Sequence, residues 1–177
     1  MSSDDTPTPT APTRPEGFQR VQAALQACQH PHAPVWLEAT ARTSQEAAEA
    51  LGVSLGQIAK SVVFRRKSDE AAVLVIASGD RRVDEKKLAA HTGPLGRADA
   101  DYVKSRTGFS IGGVSPLGFA PQEGLGGPLL FVDRELFRFE VIWAAAGHPN
   151  GVFPMSPAQL EVLTRAPVID VVQEAKP

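Results

Sequence analysis

Two apolar runs joined by a charged turn constrain this chain most. Ile58-Ala59-Lys60-Ser61-Val62-Val63-Phe64 and Ala71-Ala72-Val73-Leu74-Val75-Ile76-Ala77 flank Arg65-Arg66-Lys67-Ser68-Asp69-Glu70. Short apolar runs of this kind, rich in β-branched residues and bounded by turn residues, read as strands. An antiparallel hairpin is expected, with the uniformly apolar second strand central in a sheet. The first strand carries one lysine. An ammonium in such a place needs a partner or an exit to water. Lys60 therefore either snorkels from the strand end or sits in a cleft and uses its charge.

The rest of the chain supplies short elements around that hairpin. Phe18, Val21, Ala24, Leu25 and Cys28 recur at helical spacing from Gly17 to about Gln29. The prolines of His30-Pro31-His32-Ala33-Pro34 end that helix. Val35-Trp36-Leu37 reads as a short strand. Thr43-Ser44-Gln45-Glu46 is a capping box that opens a helix running to Leu51 and Gly52. Helices are also expected over 83–91 and 101–106, and strands over 129–133, 139–146 and 151–155. Ser156-Pro157-Ala158-Gln159 is a second capping box with proline at N1. It opens a terminal helix, and Pro167 to Val172 reads as a closing strand. Strands outnumber helices. The expected fold is α+β, a mostly antiparallel, barrel-like sheet flanked by short helices. Residues 1–15, MSSDDTPTPTAPTRP, cannot bury enough surface to offset chain entropy. They are expected to form a disordered tail before a domain spanning 16–177.

Composition narrows the function classes. With 177 residues and a net charge of −2, the chain suits one domain and has no global cationic field to hold nucleic acid. An RNA partner then needs a local patch or help from another protein. The single cysteine, Cys28, excludes a disulfide framework and a multi-cysteine metal site. No apolar run approaches the ~18 residues of a membrane helix, and no secretory signal pattern is present. A cytoplasmic protein without membrane contact is the expectation. His30 and His32 lie in a proline-broken loop and His91 near a helix end, so all three read as surface residues.

A second feature is the loop Ser110-Ile111-Gly112-Gly113-Val114-Ser115-Pro116-Leu117-Gly118. Glycines allow positive φ and close approach of a ligand to backbone groups. Alone it reads as a plain turn. It is neither a phosphate-binding P-loop nor a nucleophile elbow. A third feature is Gly147-His148-Pro149-Asn150.

The Lys60 run, the Gly112–Gly118 loop and Gly147-His148-Pro149, in that order and spacing, resemble the YbaK/EbsC family. These are aminoacyl-tRNA deacylases related to the editing domain inserted in bacterial prolyl-tRNA synthetases. The resemblance covers roughly residues 20–173. It implies a trans-editing hydrolase that deacylates mischarged tRNA, with tRNA(Pro) carrying alanine, cysteine or a similar small residue as the expected substrate. By the same resemblance Lys60 is the essential lysine. Gly112, Gly113, Ser115 and Pro116 form the substrate-binding loop, and Gly147, His148 and Pro149 the Gly-His-Pro motif. No metal or organic cofactor is implied.

The residue types suit that chemistry. Ester hydrolysis needs a positioned water, a proton path and charge stabilisation at the carbonyl. A fixed ammonium at Lys60 can bind the terminal phosphate or offset developing negative charge. Glycine-loop backbone groups can hold the α-ammonium and carbonyl. His148 either hydrogen-bonds the ribose or amino acid or only shapes the pocket. Arg65, Arg66, Arg81 and Arg82, with Lys67, Lys86 and Lys87, form a candidate track for the tRNA acceptor stem, the alternative being an ordinary solvated surface. Prolyl-tRNA synthetase or an elongation factor is an expected helper, and a monomer is favoured. Two other classes compete: a non-catalytic module of the same fold that binds tRNA or a synthetase, and a Schiff-base enzyme at Lys60. The latter is disfavoured by a short chain without a phosphate cradle.

Overall fold

The fold is seen in a computed structural model that describes residues 13–175. The tail expected over 1–15 falls largely outside the described residues. The elements in chain order are α1 (Glu16–Ala27), β1 (Val35–Trp36), α2 (Ser44–Leu51), β2 (Ile58–Arg66), β3 (Ala72–Ser78), α3 (Glu85–Thr92), β4 (Leu95–Arg97), α4 (Ala100–Thr107), β5 (Leu129–Asp133), β6 (Ile142–Ala145), β7 (Gly151–Met155), α5 (Pro157–Thr164) and β8 (Val168–Ile169). Short 3-10 turns precede β2 (Leu55–Gln57) and follow β5 (Arg134–Arg138).

Helix starts follow local hydrogen bonding. The Thr43 hydroxyl accepts from the Glu46 amide, and Ser156 accepts from Gln159, whose side chain answers the Ser156 amide. Asp84 and Asp99 cap α3 and α4 with their carboxylates.

β2 and β3 form the expected antiparallel hairpin, with Lys60 opposite Ala77 and Ser61 opposite Ile76. β3 is buried along its whole length and lies between β2 and β5. The sheet runs β1-β7-β6-β2-β3-β5-β8, with β4 added on β2. The β1–β7, β2–β3, β2–β4 and β6–β7 pairings are antiparallel; β2–β6, β3–β5 and β5–β8 are parallel. The sheet is open rather than closed, because its end strands β1 and β8 are two residues each and do not pair with one another.

Cross-strand partners share a face, and the two larger of three apolar clusters lie on opposite faces of the sheet. Ala59, Leu74, Ile76 and Val132 pack with Phe18, Val21 and Leu25 of α1, Val103 of α4 and Leu160 of α5. Val73, Val75 and Ala77 pack with Leu88 of α3 and with Val83, Val171 and Val172. Burying such side chains contributes about 1.5–3 kcal/mol each. Three sequence expectations shift, the first being the closing strand of 167–172, which shortens to Val168–Ile169. The strand expected over 139–146 is confined to Ile142–Ala145, because Arg134–Arg138 winds into a 3-10 turn capped by Asp133. The segment after α3 forms the three-residue strand β4, which the sequence did not signal.

Candidate active site

β2 pairs with β3 along one edge. On its other edge it pairs with β6 at Ile58–Ala59 and with β4 at Phe64–Arg66. Residues 60–63 between those pairings have no strand partner on that side among the described residues. A bare strand edge presents backbone donors and acceptors to a ligand, and here it carries Lys60.

Three cavities lie along this gap. The first, about 250 Å³, is lined by Ala41, Ala47, Ala59, Val114, Trp143 and Ala144, with Lys60 and Ser61 on the β2 side and Gly112 and Pro149 opposite. Its walls are mostly small and apolar. The second, about 580 Å³, has Val62, Val63, Phe64 and Val83 as floor and Arg82, Arg97 and Glu85 at its rim. A third, of about 190 Å³, shares Ser61 and Gly112 with the first and Val62 and Ala98 with the second. Lys60 is the one residue that lines both larger cavities.

The ammonium of Lys60 donates to the Arg81 carbonyl. That carbonyl belongs to the turn after β3, and the turn is staked by charge. Asp80 receives two hydrogen bonds from Arg138, at 2.8 and 3.3 Å, and Ser78 accepts from the same guanidinium at 2.9 Å. Arg138 beside Asp80 holds that carboxyl below the usual carboxylate range. Burial lowers the Lys60 pKa, Asp80 acts to raise it and Arg82 to lower it. Lys60 thus sits between one carboxylate and one like charge at the mouth of a partly dry cleft.

Ser61 projects on the opposite face of β2. Its hydroxyl oxygen is buried and has no hydrogen-bond partner among the described residues. A buried hydroxyl without a partner is unusual and costly.

The glycine loop and the Gly-His-Pro turn pack against each other. Gly112 has φ +90° and faces the first cavity. At Gly113 a Cβ would stand 2.8 Å from the His148 backbone, so only glycine lets the two segments touch. Gly147, at φ +80°, abuts the Gly17 backbone at the start of α1. Ser115 and Pro116 are buried, and the Ser115 hydroxyl accepts from the Leu117 amide at 3.3 Å. His148 stacks on Trp36 with ring centroids 4.9 Å apart, and its Nδ1 accepts from the Asn150 amide at 3.0 Å. An accepting Nδ1 leaves the proton of the neutral ring on Nε2. Burial lowers the His148 pKa and so favours that neutral ring. Of the expected substrate-binding residues, Gly112 and Pro149 line the first cavity, while Gly113, Ser115, Pro116, Gly147 and His148 do not.

Asn150 closes the arrangement. Its side-chain Nδ2 donates to the Leu37 carbonyl at 2.8 Å and its side-chain Oδ1 accepts from the Thr40 hydroxyl at 3.0 Å. The Pro149 carbonyl accepts from the Ala41 amide at 3.1 Å. These bonds pin the segment carrying Ala41, Arg42 and Thr43 to the cavity. Sequence reasoning quoted Asn150 and Ser61 within their motifs without a role, and gave none to Trp143 or Arg97. The one available signal was Ser61, the only hydroxyl in an apolar strand and next to its lysine.

The expected basic track divides. Arg65 pairs with Glu70 at 2.7 Å, Arg66 with Asp69 at 2.6 Å, and Arg81 with Asp80 at 3.4 Å and Glu135 at 3.8 Å. Arg82 is exposed and has no ion pair among the described residues. No group of three His, Cys, Asp or Glu among the described residues could hold a metal ion.

Comparisons with known proteins cover the stretch of chain that carries these residues. The aminoacyl-tRNA editing domain matches residues 38–163, which include Lys60, both glycine-bearing segments and every cavity-lining residue named above. The uncharacterized protein YwhH of Bacillus subtilis is 35% identical over 139 residues, covering 77% of this chain and 85% of YwhH. A proline–tRNA ligase of Pelotomaculum thermopropionicum is 40% identical over 79 residues, covering 44% of this chain and only 14% of the ligase. A solved structure described as a "putative trans-editing enzyme for prolyl tRNA synthetase" superposes with TM-score 0.82 at 35% identity, covering 92% of this chain and 100% of that one. The chain belongs to the aminoacyl-tRNA editing domain family.

Proposed function

We propose that the protein is a trans-acting deacylase that hydrolyses mischarged tRNA, with tRNA(Pro) bearing a small non-cognate residue as its substrate. The observation that carries this reading is the position of Lys60, shared by an apolar cavity of about 250 Å³ and a wider, cation-rimmed one of about 580 Å³. An aminoacyl ester has the same two halves, a small acyl group and a ribose with its phosphate. The ester bond then lies at Lys60.

The acyl side chain enters between Ala41, Ala47, Val114, Trp143 and Ala144. The open β2 edge and the Gly112 backbone hold its α-ammonium and carbonyl. A water attacks the carbonyl carbon, the bond to the ribose oxygen breaks, and the departing oxygen takes up a proton. The products are the free amino acid and the tRNA hydroxyl. Lys60 as a cation offsets the charge that develops on oxygen, an electrostatic role commonly worth 10²–10³ in rate. Editing is useful because one methylene supplies only about 1–3 kcal/mol of discrimination in a synthetase pocket. The tRNA(Pro) assignment is supported by the ligase relative and by the description of the solved neighbour.

The test is hydrolysis of tRNA(Pro) charged in turn with alanine, cysteine, serine, threonine, 2-aminobutyrate and proline. Fast release of one small residue with proline spared is expected. No release across this panel or from other mischarged tRNAs, with charged tRNA still bound, would replace the deacylase by a non-catalytic binding module.

A further inference from the structure

The second cavity has no part in recognising the amino acid, yet it adjoins Lys60 and is rimmed by cations. Arg82 and Arg97 are both exposed, and neither makes an ion pair or a side-chain hydrogen bond among the described residues. Most other arginines near the hairpin are already matched by carboxylates: Arg65 by Glu70, Arg66 by Asp69, Arg81 by Asp80 and Glu135, and Arg138 by Asp80 and Glu135. The contrast is local, because charges of both signs are plentiful around it. Glu85 is the one acid on the rim. The α3 N-terminus is not available to an anion, since Asp84 already accepts from the Lys86 and Lys87 amides. Arg82 also acts on Lys60 as a repelling like charge, which an anion between them would relieve.

From this we infer that the cleft between Arg82 and Arg97 binds the phosphates of the unpaired 3′-terminal nucleotides of an RNA, whose path runs over Val62, Val63 and Phe64 toward Lys60. The inference rests on the deacylase reading and gives it a direction. The acyl end points into the first cavity and the chain leaves along the second, past Arg97 of β4. An apolar floor with a cationic rim suits a single strand, whose bases take apolar contact while its phosphates take charge. A duplex stem is not needed for these contacts. Arg42, an exposed cation at the opposite, first-cavity end, marks the competing exit.

The experiment is binding of an uncharged, 5′-fluorescein-labelled RNA minihelix ending in single-stranded CCA, followed by anisotropy over a range of KCl. Each phosphate contact on a single strand contributes about 0.7 to the slope of log affinity against log salt. The double variant Arg82→Ala/Arg97→Ala is expected to weaken binding about ten-fold at low salt and to flatten the slope by about 1.4. Arg134→Ala removes one charge elsewhere on the surface and serves as the control for net charge. An unchanged slope in the double variant, an equal loss in Arg134→Ala, or a loss found in Arg42→Ala instead would overturn the inference. The binding arm does not depend on turnover. A wild-type protein that binds the minihelix in this Arg82- and Arg97-dependent way but hydrolyses no mischarged tRNA would remove the deacylase reading and leave the RNA cleft standing. Hydrolysis with an unflattened slope would do the reverse.

Discussion

The open edge of β2 and the Gly147–Asn150 turn face one another across the first cavity, and they are built in opposite ways. At β2 the polar groups are left underused. Among the described residues Lys60 has one carbonyl partner, the Ser61 hydroxyl has none, and four residues of strand edge are unpaired. At the turn most polar groups are matched. His148 is held between Trp36 and the Asn150 amide, Asn150 bonds Leu37 and Thr40, and Gly147 is wedged against Gly17. Underused groups in a cleft are free for a ligand, while saturated ones hold shape. Under the proposed function, the residues of the Lys60, glycine-loop and Gly-His-Pro motifs therefore divide into those that meet substrate and those that fix the wall.

Substitutions on the two sides should separate stability from activity. The largest effect on folding is expected at Gly147. Gly147→Ala puts a side chain on a left-handed backbone pressed against Gly17, and should cost about 3 kcal/mol in denaturant unfolding. A cost below about 1 kcal/mol would show that the turn is not the rigid side. His148→Ala removes the Trp36 stack and the acceptor for the Asn150 amide, and should cost about 1 kcal/mol. Its deacylation rate should fall less than about ten-fold, in step with the stability loss. A large activity loss in a fully folded His148→Ala protein would move His148 to the substrate side.

The smallest effect concerns pH. In the proposed mechanism Lys60 acts as a cation, so activity should be lost as pH rises through its pKa, which burial places below the usual lysine value. The Asp80 carboxylate raises that pKa, so removing its charge must lower it further. In Asp80→Asn the alkaline limb of the rate profile, after subtraction of spontaneous ester hydrolysis, should move to lower pH. A limb that stays in place or moves up would disconnect Lys60 from it.

Much of this was legible in the residue pattern, and the reasons differ by element. The β2–β3 hairpin was legible because β-branched runs and a six-residue charged turn leave few alternatives. The helices begun by Thr43 and Ser156 announced themselves through capping boxes. β4 was not legible, because Leu95-Gly96-Arg97 is too short and glycine-interrupted to show a period. The cavity wall was illegible for another reason: Ala41, Trp143 and Val114 come from three distant segments and carry no chemical signal singly. Most of the pairing of the basic track was readable in hindsight, since Asp69 and Glu70 stand in the same turn as Arg65 and Arg66. Arg97 became visible only when β4 laid it beside Lys60 and Arg82.

The most direct measurement is single-turnover deacylation of alanyl-tRNA(Pro) by wild type, Lys60→Ala and His148→Ala, side by side at a temperature where circular dichroism shows all three folded. The account predicts a loss of at least about 100-fold for Lys60→Ala, against less than about ten-fold for His148→Ala. Near-wild-type turnover by folded Lys60→Ala, or the two losses reversed, would contradict it.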